Sequence, residues 1–325
     1  MLVNCTDAQR NEPQLRKIVK RGNRETLKSF LANGANIQND HLLPRIAVKR
    51  GNKDILKFLL ANGASIENDP YLLRTAAREG KNKILKILLA NNADLQCDPL
   101  ILDAAVTGGN ERVLKTLLAN GADVTQDPLL LQTAVRRGSN KILKTLLINA
   151  DADIKDNLLL EMAVRMGKHN ILKTLLANGA EFKVHAPFLW VAVRGGNVRI
   201  LKALIADGAD VKADPLLLRL AVRRGNETIL KVMLANGADV KTDPLLLNIA
   251  VEGGNENILK TLLANGAVFK DHQLILKVVV MDREEILKIL LTNGTEVKDC
   301  HFLLKMAQER SSDKILKVLS ATGAC

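Results

Sequence analysis

Apolar residues recur along this chain in two short helical stripes, and the pair of stripes returns every 29 residues. In DPLLLQTAVRRGSNKILKTLL, Asp127 to Leu147, the first stripe holds Leu129, Leu130, Leu131, Ala134 and Val135. The second holds Ile142, Leu143, Leu146 and Leu147, with Lys144 turned to water. Both spacings suit a helix with one buried face. A Leu-Lys pair marks the phase eleven times, from Leu27 and Leu56 to Leu287 and Leu316, and only the step from Leu259 to Leu287 is one residue short.

Punctuation agrees with the stripes. Asp-Pro at Asp69, Asp98, Asp127, Asp214 and Asp243 supplies a side-chain cap and a first helical residue that needs no N–H partner. Gly138 and its equivalents are expected to close the first helix in the left-handed conformation, and Asn-Gly pairs such as Asn120-Gly121 to close the second. Asn92 takes that glycine's place in one unit, and Ala150 in another. Helices of about ten residues are marginal alone, so each hairpin must bury its apolar face against the next. The spacing therefore predicts an all-α solenoid of about eleven stacked helix-turn-helix repeats, with residues 1–10 as an N-terminal tail and 11–325 as a single repeat array.

Composition narrows the core and the chemistry. Hydrophobic residues make up 47% of the 325 and aromatic ones 2%, so an aliphatic core is expected throughout. A net charge of +12 favours acidic partners. Cys5, Cys97, Cys300 and Cys325 have neither metal nor disulfide spacing, which reads as free thiols in a reducing, intracellular setting. Neither a secretion signal nor a membrane-length apolar run is present.

The run Asn-Gly-Ala-Asp-Val after Ile-Leu-x-x-Leu-Leu, preceded by an Ala-Val helix ending in glycine, resembles the ankyrin repeat over nearly the whole chain. The repeat is four residues short of the usual length near 33, and TQDPLL stands where hairpin fingers would extend. Little or no strand is expected. The resemblance implies a monomeric protein-interaction scaffold whose partners are held on the concave face of the first helices. Short repeats of this kind look like those of large DNA viruses and intracellular bacteria, which implies a host-interaction factor, with the host cytoplasm as one setting.

Aligned on that family, Lys20, Lys49, Arg78, Arg136, Arg165, Arg194 and Arg223 share one position, followed in several units by a second cation, as at Arg50, Arg137 and Arg224. One turn earlier come Arg16, Arg45, Arg74, Gln132, Trp190 and Arg219, which lie on the same helix face. The stripe is interrupted at Asp103 and Thr107 and fades after Glu252. Two readings stay open for its cations: a partner surface, or a simple complement to the helix dipole. Trp190 is read either as packing or as an anchor for a partner.

No nucleophile elbow, phosphate-binding glycine loop or carboxylate pair outside the caps occurs, so no enzyme and no cofactor are expected. His41, His272 and His301 recur at matching sites but lack the further ligands a metal needs. The function expected is a scaffold that binds an acidic or helical protein segment. The alternative is a polyanion binder for nucleic acid or phospholipid headgroups, which would show strong salt dependence but lacks aromatic platforms for single strands.

Overall fold

The computed structural model describes residues 5–38, 40–67, 69–95, 98–150, 157–268, 273–294 and 300–321, with side chains from residue 12 onward. His272, Cys97, Cys325 and the side chain of Cys5 lie outside the described residues. Among those described there are 22 α-helices and no strand. Contacts divide the chain into two compact units, one of Met1–Met162 with Ala177–Ala180 and one of Ala163–Leu176 with Glu181–Cys325.

In the first unit the helices are α1 (Cys5–Arg21), α2 (Arg24–Ala32), α3 (Leu42–Arg50), α4 (Lys53–Ala61), α5 (Pro70–Arg78), α6 (Asn82–Ala90), α7 (Ile101–Gly108), α8 (Glu111–Ala119), α9 (Leu130–Arg137) and α10 (Asn140–Ala150). Odd-numbered first helices pack on one another in order, as do even-numbered second helices. Two helices, α11 (Asn157–Arg165) and α12 (His169–Ala177), fall at the division.

The second unit continues with α13 (Ala186–Arg194), α14 (Val198–Ala206), α15 (Pro215–Arg223), α16 (Glu227–Ala235), α17 (Leu245–Gly253), α18 (Glu256–Ala264), α19 (Gln273–Val280), α20 (Glu284–Thr292), α21 (Cys300–Glu309) and α22 (Asp313–Ala321). Its first and second helices form the same two layers. Each unit is thus a solenoidal stack of helical hairpins.

The sequence dictates where each helix stops. Gly138 closes α9 at φ 77° and Gly109 closes α7 at φ 74°, the left-handed geometry in which a side chain is strained. Asn92 adopts it at φ 61°, as expected, and Asp282 and Ser311 replace the glycine where the turn has lost it. Where Ala150 stands in place of glycine, α10 runs to eleven residues against the usual nine.

Helix starts are less uniform than the Asp-Pro pattern predicts. Pro70 and Pro215 do open α5 and α15. In α7, α9 and α17, helical geometry begins one or two residues later than the Asp-Pro pair suggests, although Asp127 still accepts the Leu129 N–H at 2.9 Å. Second helices are capped by asparagine: Asn52, Asn197, Asn226 and Asn255 each accept the N–H three residues on.

The core is largely aliphatic, with Leu27, Leu56, Leu85, Leu114 and their equivalents fully buried. Each such leucine contributes about 1.5–3 kcal/mol. The expectation of an aliphatic core throughout is corrected in one place: Phe182 and Phe188 are buried with ring centroids 4.7 Å apart. They sit in the repeat where His185-Ala186-Pro187 stands in place of Asp-Pro, and His185 meets Asp207 at 3.2 Å. A second correction concerns the cysteines. Cys300, the first residue of α21, is disulfide-bonded, so spacing alone misread it as a free thiol.

Repeats also approach closely through backbone. A β-carbon at Gly108 would lie 2.1 Å from the Arg78 carbonyl oxygen of the preceding repeat, so no side chain fits unless α5 and α7 separate. Helix propensity alone would favour alanine there by about 1 kcal/mol. Gly108→Ala is expected instead to destabilise by roughly 1–3 kcal/mol, read as a lower midpoint in urea; an unchanged or higher midpoint would contradict the packing.

Candidate functional site

The first helices present three rows of side chains on one face, at positions three and four residues apart. The middle row is engaged within the protein. Arg45 Nε and Nη2 donate to both oxygens of Asp69 at 2.7 and 3.0 Å, and Arg16 does the same to Asp40 at 2.9 and 3.3 Å. Arg74 grips Asp98 and Arg219 grips Asp243 in the same bidentate way. Trp190 takes that place in α13 and donates its Nε1–H to Asp214 at 2.7 Å.

Every one of these partners lies 24 residues on, in the following repeat. The same aspartates cap the helices that follow, since Oδ1 of Asp69 accepts the Tyr71 N–H at 3.1 Å and that of Asp214 the Leu216 N–H at 2.9 Å. One carboxylate therefore starts its own helix and ties it to the preceding one. Side chains of Asp98 and Asp243 are 0% and 3% exposed, so removing a partner would leave a buried charge without its principal donor. Asp103 interrupts the row in α7 and takes a hydrogen bond from Thr107 at 3.4 Å.

Residue spacing places Arg219 and Trp190 with the partner-binding residues, with packing as the other reading for Trp190, and does not show the aspartate each one holds. The signal was present as a pairing of Arg, or Trp, with Asp at a constant separation of 24.

Helix-end cations behave differently. Lys20, Lys49, Arg50, Arg78, Arg136, Arg137, Arg165, Arg194, Arg223 and Arg224 are all exposed. Of these, Arg165, Arg194 and Arg224 line one groove of about 710 Å³ in the second unit, together with Met166, Gly167, Val191 and Asn197 and with no carboxylate in its wall. In the first unit the equivalent cations end α1, α3, α5 and α9. Further along, Glu252 replaces them and pairs with Lys277. The outer lysines, from Lys28 to Lys260, are exposed on the second helices, as solvation requires.

A second set of contacts runs between repeats at helix ends. Lys81 Nζ donates to the Val48 carbonyl at 3.0 Å, Asn255 to that of Gly225 at 3.3 Å and Arg310 to that of Val280 at 2.8 Å. These carbonyls belong to the ends of first helices, where backbone acceptors lack helical donors.

Among the described residues no three His, Cys, Asp or Glu come together in a way that could hold a metal. No described helix is long and apolar enough to cross a membrane.

Paired helices at a constant period, joined by side-chain clamps, define a helical-hairpin repeat protein. A family model for ankyrin repeats (3 copies) matches residues 15–99, 45–128, 102–186, 131–215, 160–243 and 218–301, so this chain belongs to the ankyrin-repeat family. Among solved structures it is similar to the ankyrin repeat domain of human ASB11, at 24% identity, with 61% of this chain and 99% of that one covered and a TM-score of 0.48. No curated protein sequence matches it. Ankyrin repeats are in general protein–protein interaction modules, and typically not enzymes.

The clamps yield two expectations. Arg74→Ala should cost about 1.5 kcal/mol by leaving Asp98 without its charged donor, and Arg74→Lys should restore only part because it cannot bind bidentately; equal midpoints for all three proteins would contradict this. Acid should release the clamp as well. The hydrogen bond from Arg219 holds the Asp243 carboxyl below its ordinary range. A depressed folded-state pKa stabilises above the unfolded value near 3.9 and is lost as pH falls through the folded value. The melting-temperature gap between wild type and Asp243→Asn is therefore expected to be full at neutral pH and to close as pH drops below about 4; a gap that stays constant with pH would contradict it.

Proposed function

We propose that this protein is an interaction scaffold that holds an acidic or helical segment of a partner protein on the basic face of its first helices. The groove shared by Arg165, Arg194 and Arg224 carries the reading: arginines of three successive repeats line it, and its wall holds no acidic residue. Guanidinium forks suit carboxylates, and such groups are enriched where partners are anchored. Family membership supports a protein partner in preference to a nucleic acid or lipid headgroup. A role in contact between an infecting agent and its host would use this same face.

Proteins captured from lysate by the wild type, identified by mass spectrometry, are to be compared with those captured by R165E/R194E/R224E, with circular dichroism verifying helix content. Loss of acidic captured proteins is expected, and an unchanged set would reject the groove. Tight binding to duplex DNA that weakens steeply with salt would favour the polyanion reading instead.

A further inference from the structure

Large apolar side chains are exposed at one repeat position in the first unit. Leu42, Tyr71, Leu100 and Leu129 stand 29 residues apart, and 42%, 40%, 50% and 58% of their surfaces face water. Isolated exposed leucines are ordinary. These are not isolated, because α3, α5, α7 and α9 pack in sequence. Contact between neighbouring rows is direct as well: the Arg45 guanidinium lies 5.1 Å from the centre of the Tyr71 ring while it grips Asp69. Pro99 and Pro128 are exposed beside Leu100 and Leu129 and widen the strip.

Seven residues after each member comes the helix-end row, with Lys49, Arg78, Thr107 and Arg136. Seven helical residues span about 10.5 Å, close to the diameter of an α-helix with its side chains. An apolar rail across four repeats and a basic rail of Lys49, Arg78 and Arg136, broken at Thr107, therefore run side by side, one helix width apart. The clamped row between them offers no free cation from Arg45 or Arg74.

We infer that these two rails in the first unit are a docking track for an amphipathic α-helix of a partner, with one edge apolar and the other acidic. The inference rests on the proposed reading that the basic face holds a protein, and it adds the shape and register of what is held. Neighbouring packed helices are about 8–10 Å apart, and residues seven apart on a helix rise about 10.5 Å. A partner helix along the track thus meets one repeat per heptad, leucine-type side chains on one rail and Glu or Asp on the other. A second copy of this chain is a poor occupant, because it would bring a basic rail against a basic rail.

The probe is a synthetic 28-residue helix, about 42 Å long, carrying Leu on one heptad stripe and Glu on the facing edge. A second peptide has the same composition with both stripes scrambled. Binding to the full-length protein is measured by fluorescence anisotropy. The striped peptide is expected to bind at least about tenfold more tightly than the scrambled one, and L100N/L129N to lose about tenfold without a fall in melting temperature. R78E/R136E is expected to lose affinity for both peptides.

Equal binding of the two peptides, lost in R78E/R136E, would overturn the track and leave the acidic-partner reading intact. Failure of both to bind would overturn the track, and the groove comparison with R165E/R194E/R224E then judges the broader reading separately. A lower melting temperature for L100N/L129N with unchanged peptide affinity would show that the leucines only shield the clamps, and would also overturn it.

Discussion

Lateral burial between hairpins is the constraint from which the structure follows. A nine-residue helix cannot hold itself together in water, and both helices of a repeat carry more apolar surface than one hairpin can hide. Leu56 has no exposed surface because helices of its own and neighbouring repeats enclose it. The aliphatic face, the small residues Ala76 and Ala77 and the absence of a side chain at Gly108 all serve that close approach.

Polar chemistry then fixes the register that burial alone leaves loose. Asp40, Asp69, Asp98 and Asp243 each do two jobs: they accept a backbone N–H near the start of a first helix and take the fork of an arginine from the preceding repeat. Buried carboxylates tolerate little misalignment, since a lost partner is costly. Helix-end contacts from Lys81, Asn255 and Arg310 add a second tie. Three rows with separate roles result: apolar at the helix start, clamped in the middle, cationic and exposed at the end.

Much of this was legible from residue spacing. Left-handed glycines, the substitute at Asn92 and the solvated lysine row follow from local rules that need no neighbour. Other features depended on which side chains meet. Arg219 and Trp190 were grouped with exposed cations because helical phase puts them on that face, whereas phase cannot show that an aspartate 24 residues on lies within reach. Leu129 reads as core from its stripe but is exposed, as are Leu42 and Tyr71 at the same repeat position within α3 and α5. Phe182 and Phe188 pack together where the cap is rewritten, and composition gave no hint that so few aromatics would be neighbours. Cys300 shows that spacing between cysteines says little about distance in space.

The amino-acid sequence by itself determined the repeat, its length, the ends of its helices and its membership in the ankyrin family, because these rest on short-range periodicity and backbone conformation. Tertiary structure decided which arginines are clamps and which line a groove, and which leucines are core and which form a surface row. Those distinctions depend on neighbours a full repeat away, and side chains of one chemical type become different in function only when stacking brings, or fails to bring, a partner to them.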